Sequence, residues 1–425
     1  MSAPLRVLIA TDSFPPVCGG SGWSSWELAR GLTARGHHVE VVKIEIGRAA
    51  GVDETLFHGV RVTTFRDRAP DVPVVRNLIK NERLWSRVGR YLLEQRLKSG
   101  GIDVVHAQHV MTTVPAIRAG EATGVPVVAT VRDYWPVCYW SDLIYDPRGT
   151  ALCPACTVAN MTRCVRPRAG ALPVAAWPVI PYMRRNLRTK RRTLARAGAV
   201  IAVSSAIARD LEARAPELAG TPMYTIPNPV DMSALDAAHA SAPRAIDGPY
   251  VLYAGKIATN KGTQFLVRAY QAAGLTWPLV VAGDGPERAP LEAEAADAGI
   301  DLRVRGWSAR DDVWALMRHA TLLAFPSYGP ESLSRVLIEA AALGVPIAAM
   351  DTGGTRDIIR PNETGLLAAD AAGFGRDLAR LAGDEHLRVR LGTAARADVR
   401  ARFSAASVVE RVEQVYRRLI PPRAA

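Results

Sequence analysis

Four residues in the second half of the chain have the types and spacing to handle an anionic, hydroxyl-bearing ligand. Lys256 and Lys261 stand in "YAGKIATNKGTQFLVRAY", the first ending an apolar run and the second, with Gly262, opening a helical stretch. Two lysines at that end converge on one anion, and the positive end of the helix adds its attraction. The spacing is not that of the G-x-x-x-x-G-K-[ST] phosphate loop. Taken alone, the pair therefore reads equally well as two solvated side chains. Glu331 and Glu339 stand in "FPSYGPESLSRVLIEAAALGVPIA", where Glu339 is the only polar side chain of "VLIEAAAL". A buried carboxylate without a partner costs several kcal/mol or takes up a proton. Either Arg335, four residues back, pairs with it, or a ligand does. A carboxylate two turns into a helix suits two adjacent hydroxyls, such as those of a ribose. Ser332 or Ser334 caps that helix, leaving backbone N–H groups for a phosphate.

These residues need elements to hold them. Short β-rich runs alternate with amphipathic, Ala-rich helical stretches in both halves, the pattern of α/β units on parallel sheets. The strands read "RVLIATD", "HVEVVKI", "DVVHAQ", "PVVATVRD" and "AVIAVSS", then "YVLYAG", "PLVVAGDG", "LRVRGW", "TLLAFPS" and "PIAAMD". With 425 residues the chain exceeds one ordinary core. "TIPNPVDMSALDAAHASAPRAIDGPY" reads as the linker. Two doubly wound Rossmann-like domains facing each other across a cleft follow, and in such sheets ligands bind beyond the carboxyl ends of the strands. The motifs fall at those ends. In the first half, "TDSFPPVCGGSGWSSWELARGL" places Gly19, Gly20 and Gly22 between strand and helix, where a phosphate or sugar can approach the backbone closely.

Net charge is +12, and residues 1–230, with 30 Lys/Arg against 18 Asp/Glu, carry all of it. No acidic residue occurs between Asp146 and Asp210. Inside that gap "YMRRNLRTKRRTLARAG" holds Arg184, Arg185, Arg188, Lys190, Arg191, Arg192 and Arg196, preceded by Trp177, Ile180, Tyr182 and Met183. Apolar anchors beside a polybasic run suit an anionic membrane surface. In the alternative, the apolar residues pack inward and the arginines face water. No nucleic-acid-reading module is recognisable. No apolar run approaches the length that spans a bilayer, and "RVLIATD" already reads as a strand rather than a signal peptide, so a cytoplasmic location, peripheral on the inner face of the membrane, is expected.

Four of the five cysteines, Cys138, Cys153, Cys156 and Cys164, fall within 27 residues, and "CPAC" is a C-x-x-C knuckle. A cytosolic chain argues against disulfides. The pattern fits a structural Cys₄ site stapling a proline-rich loop over 138–181, with zinc favoured over an iron–sulfur cluster and unliganded thiols as the alternative. Cys18 reads as a packing residue.

The order P-S-x-x-x-E-[GS]-x-[GS]-x-x-x-x-E-A-x-A-x-G-x-P, with G-[RK]-x-x-x-x-K-G upstream, resembles the retaining glycosyltransferases of family 4, which have the GT-B fold. "FPPVCGG", "LTARGHHVEVV", "DVVHAQH", "AVIAVSSAI", "TIPNPVD", "GDGPER" and "GGTRDII" extend the resemblance over nearly the whole chain. It implies a donor domain over 230–404, an acceptor-side domain over 1–229, and a helix, 405–425, returning to the first domain. It also implies that Lys256 and Lys261 hold the diphosphate of a nucleotide-sugar donor, that Glu331 lies beside the sugar and that Glu339 holds the ribose. Backbone groups of Leu333, Ser334 and Arg335 assist, Gly20 closes over the donor, and Trp307 lies near the base. Where relatives have T-x-H-D, this chain has "TVRD", so Arg132, next to Asp133 on the acceptor side, replaces a histidine. An arginine cannot accept a proton. "ESLS" in place of E-G-F-G makes a stiffer phosphate loop.

By that resemblance the transfer needs no catalytic metal. Lys256, Lys261 and the helix terminus stabilise the departing diphosphate, which takes the acceptor's proton. The acceptor expected is a glycan or lipid-linked glycan in cell-envelope or exopolysaccharide assembly. Alternatives are a small soluble acceptor, or a non-catalytic GT-B scaffold signalled by Arg132.

Overall fold

A computed structural model describes residues 3–47, 49–70, 79, 84–91, 96–146, 151–168, 178–241, 244 and 246–420. The chain forms two compact units. One comprises Met1–Ser141, Pro178–Pro229 and Ala405–Ala425, the other Asp142–Trp177 and Val230–Ser404.

The sheet of the first unit contains β1 (Arg6–Thr11), β2 (His38–Gly47), β3 (Gly51–Phe57), β4 (Val60–Arg68), β5 (Val104–Ala107), β6 (Val127–Val131), β7 (Ala199–Ala202) and β8 (Met223–Thr225). Their order is β3-β4-β2-β1-β5-β6-β7-β8, and every pair is parallel except the hairpin β3–β4. The central strands β5, β6 and β7 are buried at every position, as continuous β-branched and Ala runs covered on both faces must be. The hairpin was not anticipated, nor was β8. All of β3 except Phe57 is exposed, so "GVDETLF" lacks the apolar pattern that marks a strand. Helix Ala405–Leu419 buries Val408, Val409, Val412, Val415 and Tyr416 in this core. It is pinned there by Glu413 to Arg35 at 2.7 Å and by the Tyr416 hydroxyl to His106 Nδ1 at 2.5 Å.

The second unit holds β9 (Val251–Ala254), β10 (Leu279–Ala282), β11 (Leu302–Gly306), β12 (Leu322–Phe325), β13 (Ile347–Met350) and β14 (Leu366–Ala368). They run parallel in the order β11-β10-β9-β12-β13-β14. Counted from β9 this is 3-2-1-4-5-6, the dinucleotide-fold order, whose direction reverses between β9 and β12. The corresponding reversal in the first unit lies between β1 and β5. The linker contributes more structure than its prolines suggest: Met232–Ser241 is helical, and Asp236 pairs with Arg400. Residues 142–146 and 151–168, read from sequence as part of the N-terminal domain, pack with this second unit. Among the described residues no helix is long and apolar enough to cross a membrane.

Candidate active site

In the second unit, the chain leaves β9 through Gly255 and Lys256 into a short turn, Thr259–Lys261, then enters helix Thr263–Ala272. Gly262 joins the two at φ +72°, and a Cβ there would stand 1.8 Å from the Pro326 carbonyl oxygen. Only glycine allows that approach, and the approach brings Lys261 to the loop after β12. There Lys261 Nζ meets Glu331 Oε1 at 2.6 Å, and the Ser327 hydroxyl donates to the same oxygen at 2.5 Å. Gly353, at φ +50°, fits equally tightly under Glu331, and the Gly354 N–H donates to the Glu331 carbonyl at 2.7 Å. Two residues 70 positions apart, each expected to face the donor, are thus joined in an ion pair, while Lys256 is exposed.

The partner of Glu339 is Arg335. Its Nε donates to Glu339 Oε1 at 2.7 Å, with both side chains under 10 % exposed. Arg310, which the sequence did not single out, brings its Nε to 3.7 Å of the same oxygen and stacks over the Trp314 ring at 4.1 Å. Of the two readings of the buried glutamate, the structure therefore contains the internal pair. Leu333 is buried, and the Ser334 hydroxyl caps the helix Arg335–Leu343 by accepting from the Leu337 N–H. Trp307, just past β11, is 74 % exposed. For an indole this is a large apolar face left in water.

In the first unit, the ends of β1, β5 and β6 gather a polar cluster. Thr11 Oγ1 lies 2.9 Å and Asp12 Oδ1 3.1 Å from His109 Nδ1. His109 Nε2 is buried and has no hydrogen-bond partner among the described residues. Burial, followed by the charge of Arg132, lowers the pKa of both His109 and His106 to about 3, so both rings are neutral near pH 7. Asp12 beside Nδ1 draws the single proton of His109 to that nitrogen, which leaves Nε2 as a bare acceptor. Arg132 is buried, and its guanidinium donates to the side-chain oxygens of Gln108 and Asn228. It ties together the segments that follow β5 and β8. Asp133 is raised to about 6, chiefly by burial, against the Trp135 N–H that it accepts at 2.8 Å. Gly20 is exposed at the first position of helix Gly20–Ala34. Sequence reading quoted "DVVHAQH" and "TIPNPVD" as motifs without choosing Gln108, His109 or Asn228. The signal was their place just past a strand.

The cysteines do not form the expected staple. Cys138 belongs to the first unit and Cys153, Cys156 and Cys164 to the second. The Cys153 and Cys164 thiols donate to the carbonyls of Ala155 and Met161, each at 3.3 Å. Among the described residues no group of three or more His, Cys, Asp or Glu is arranged to hold a metal ion. Arg168 occupies the centre of this segment instead. Its guanidinium donates to the Tyr145, Cys164 and Ile144 carbonyls at 2.6, 2.9 and 3.1 Å and to the Asp142 carboxylate at 2.7 Å. Five donors in a fixed fork satisfy a turn's carbonyls as a metal-bound thiolate set would fix its ends.

The basic run is helix Val179–Leu194, and Ile180 and Met183 are buried beneath it. Trp177 lies outside the described residues. Arg184, Arg185, Arg188 and Arg192 are exposed. At 100° per residue they share one arc of the helix.

Residues 18–234 match the family "Glycosyltransferase Family 4", and residues 236–398 match "Glycosyl transferases group 1". A D-inositol 3-phosphate glycosyltransferase of Xylanimonas cellulosilytica is 26 % identical over 397 residues, covering 89 % of this chain and 87 % of that protein. A 2-deoxystreptamine glucosyltransferase of Streptomyces kanamyceticus is 34 % identical over 157 residues, 34 % of this chain and 40 % of that one. The chain spans from two fifths to about half the length of the first curated relatives it matches. Among solved structures, sucrose-phosphate synthase of Thermosynechococcus elongatus superposes with a TM-score of 0.69 at 20 % identity, covering 97 % of this chain and 99 % of that one. Anabaena HepE, solved in complex with UDP, superposes at 0.67 and 17 %, covering 97 % and 100 %. Both units are doubly wound sheets with polar and charged groups at their topological reversals, the architecture is GT-B, and more than half of the sequence matches one family: the chain belongs to glycosyltransferase family 4.

Proposed function

We propose that the chain is a retaining glycosyltransferase that moves a sugar from a nucleotide-diphosphate donor to a glycan or lipid-linked acceptor. The observation that carries this reading is the Lys261–Glu331–Ser327 cluster at the reversal of a 3-2-1-4-5-6 sheet, with Lys256 exposed on the neighbouring strand end. The lysines attract the diphosphate, which displaces Lys261 from Glu331 and frees that carboxylate for sugar hydroxyls. As the bond from the sugar's anomeric carbon to the diphosphate oxygen breaks, the lysines stabilise the charge developing on that oxygen. The acceptor oxygen bonds to the same face of the sugar, and its proton passes to the departing diphosphate. Arg335 and Arg310 both address Glu339 Oε1, so a ribose diol meets Oε2, and the exposed face of Trp307 takes the base. HepE has been solved with UDP-glucose, which makes uridine donors the first to try.

The acceptor side is read as Arg132 and Asp133 together with the neutral His109, Gln108 and Asn228 arranged around that arginine, a set suited to hydroxyls. A role in cell-envelope or exopolysaccharide assembly agrees with a relative named for lipopolysaccharide core biosynthesis. Ile180 and Met183 are buried, so among these described residues it is the exposed arginine stripe that an anionic membrane surface would meet. A small soluble acceptor is the second reading, supported by relatives named for inositol 3-phosphate and 2-deoxystreptamine. Release of nucleoside diphosphate from a panel of nucleotide sugars, with and without glycan, inositol phosphate and lipid-linked acceptors, tests the proposal. Failure to release or transfer from every donor would leave the scaffold alternative standing.

A further inference from the structure

Residues 142–146 and 151–168 follow the first unit's β6 in sequence yet pack with the second unit. They close on themselves. A bridge between Ile144 and Leu152 begins the segment, and helix Val158–Arg168 ends it. The Cys153 N–H donates to the Leu143 carbonyl at 2.6 Å, and the Tyr145 hydroxyl donates to Asn160 at 2.8 Å. The four hydrogen bonds of Arg168 draw both ends together.

This knot lies on the loop that carries Glu331. Ile144 Cδ1 is 3.5 Å from the point where a Cβ would stand on Gly329. The neighbouring Tyr328 hydroxyl has its pKa raised by burial and by the carboxylates of Asp142 and Asp146. From its other side the same turn is braced by the Thr352 hydroxyl, which donates to the Tyr328 and Gly329 carbonyls at 3.2 Å, and by the Gly329 N–H bond to Asn260 at 3.0 Å. Residues 328–329 are therefore held between the donor sheet's own loops and a piece of chain from elsewhere. Two residues on, Glu331 meets Lys261.

We propose that residues 142–146 and 151–168, stapled by Arg168, are a positioning element for the donor sugar, holding the Tyr328–Gly329 turn through Ile144 so that Glu331 is fixed where the sugar binds. The nucleotide half of the donor, bound by Glu339, Trp307 and the lysines, does not depend on the knot. This inference rests on the donor-site reading above, and the two fail differently.

The test is calorimetry on the full chain with UDP, GDP and ADP and with their glucose, galactose, mannose and N-acetylglucosamine conjugates. Wild-type protein is expected to bind one nucleoside diphosphate, and one of its conjugates more tightly. Ile144→Ala and Arg168→Ala should each weaken the conjugate by about tenfold, as a loosened positioning contact does, and leave the free diphosphate within about twofold. Ile144→Leu, which keeps δ-methyl groups, should retain the conjugate's affinity. Faster hydrogen exchange over 326–334 in Ile144→Ala would accompany the loss. If Arg168→Ala does not fold, Ile144→Ala, which removes only the contact, decides alone. Equal weakening of diphosphate and conjugate, no weakening of either, or a wild-type protein for which the sugar adds no affinity overturns the positioning role while leaving the donor site intact. Binding of no nucleotide by wild-type protein overturns the donor-site reading and the knot's role with it.

Discussion

The two sheets reverse direction in the same way, between β1 and β5 in one unit and between β9 and β12 in the other, yet they arm that point differently. In the second unit charge meets charge: Lys261 with Glu331, and Arg335 and Arg310 with Glu339. In the first unit the buried Arg132 donates to neutral amides, and the two histidines beside it are held uncharged. The topology makes a crevice in both cases, but the side chains decide what it can take. A diphosphate can exchange partners with an existing ion pair at little cost. A hydroxyl acceptor is better met by neutral groups, because nothing charged must then be stripped of its partner.

The largest expected effect breaks the charged half. Glu339→Ala leaves Arg335 buried without its carboxylate, which should cost about 3–5 kcal/mol of stability, read by chemical denaturation. Glu339→Gln keeps the shape and some hydrogen bonding. Unchanged nucleotide affinity in that variant would make Glu339 a structural partner of Arg335 and remove the ribose assignment.

The neutral half is sharpened by pH. His106 and His109 have folded-state pKa values near 3, below the unfolded value near 6.5, so protons favour the unfolded chain as pH falls through that window. Each should cost about 3 kcal/mol of stability between pH 6.5 and pH 4. His109→Gln should flatten the decline measured by denaturation at several pH values. Asp133 acts with the opposite sign, since its raised pKa makes the fold lose stability as pH climbs from about 4 to about 6. Its side chain is partly exposed, so Asp133→Asn should recover only about 1–2 kcal/mol above pH 6.

Lys261→Ala should weaken nucleotide-sugar binding by about 1.5–3 kcal/mol, the range for a charged hydrogen bond, measured by calorimetry. An unaltered affinity would return Lys261 to a purely internal ion pair and erase the contrast between the two ends. A smaller effect belongs to the outer face of the first unit. Arg188→Glu with Arg192→Glu should reduce co-sedimentation with anionic vesicles by about 1 kcal/mol per charge near the lipid. Equal recovery on neutral and anionic vesicles would show that the stripe only faces water. No change at all is expected on chelation, since the charged groups that act on the diphosphate are side chains. Loss of transfer in a chelator, restored by a divalent cation, would contradict that.

Much of this was legible beforehand because it is local. Ten of the fourteen strands among the described residues are short runs rich in β-branched residues, Leu or Ala, seven of them ending at Gly, Pro or Asp, and the lysine and glutamate motifs follow directly from two of these. The hairpin β3–β4 was not legible. Strand β3 is exposed on nearly every residue and is defined only by its pairing with β4. His109 and Asn228 stand inside quoted motifs but were not chosen, since neither spacing nor type marks them until β1, β5, β6 and β8 bring them to one end.

The sequence by itself determined the alternation of strands and helices, the two-unit composition, the placing of all excess charge in the first 230 residues and the glycines at 262 and 353 that permit close approach. Periodicity and backbone sterics act over a few residues, so one chain suffices to read them. Which groups answer which was decided only in three dimensions: Arg335 and Arg310 for Glu339, Lys261 for Glu331, Gln108 and Asn228 for Arg132, and Arg168 where four cysteines suggested a metal. A buried charge needs a partner, but it does not specify one. The choice among arginines, lysines and ligands falls to whichever group the fold brings within reach.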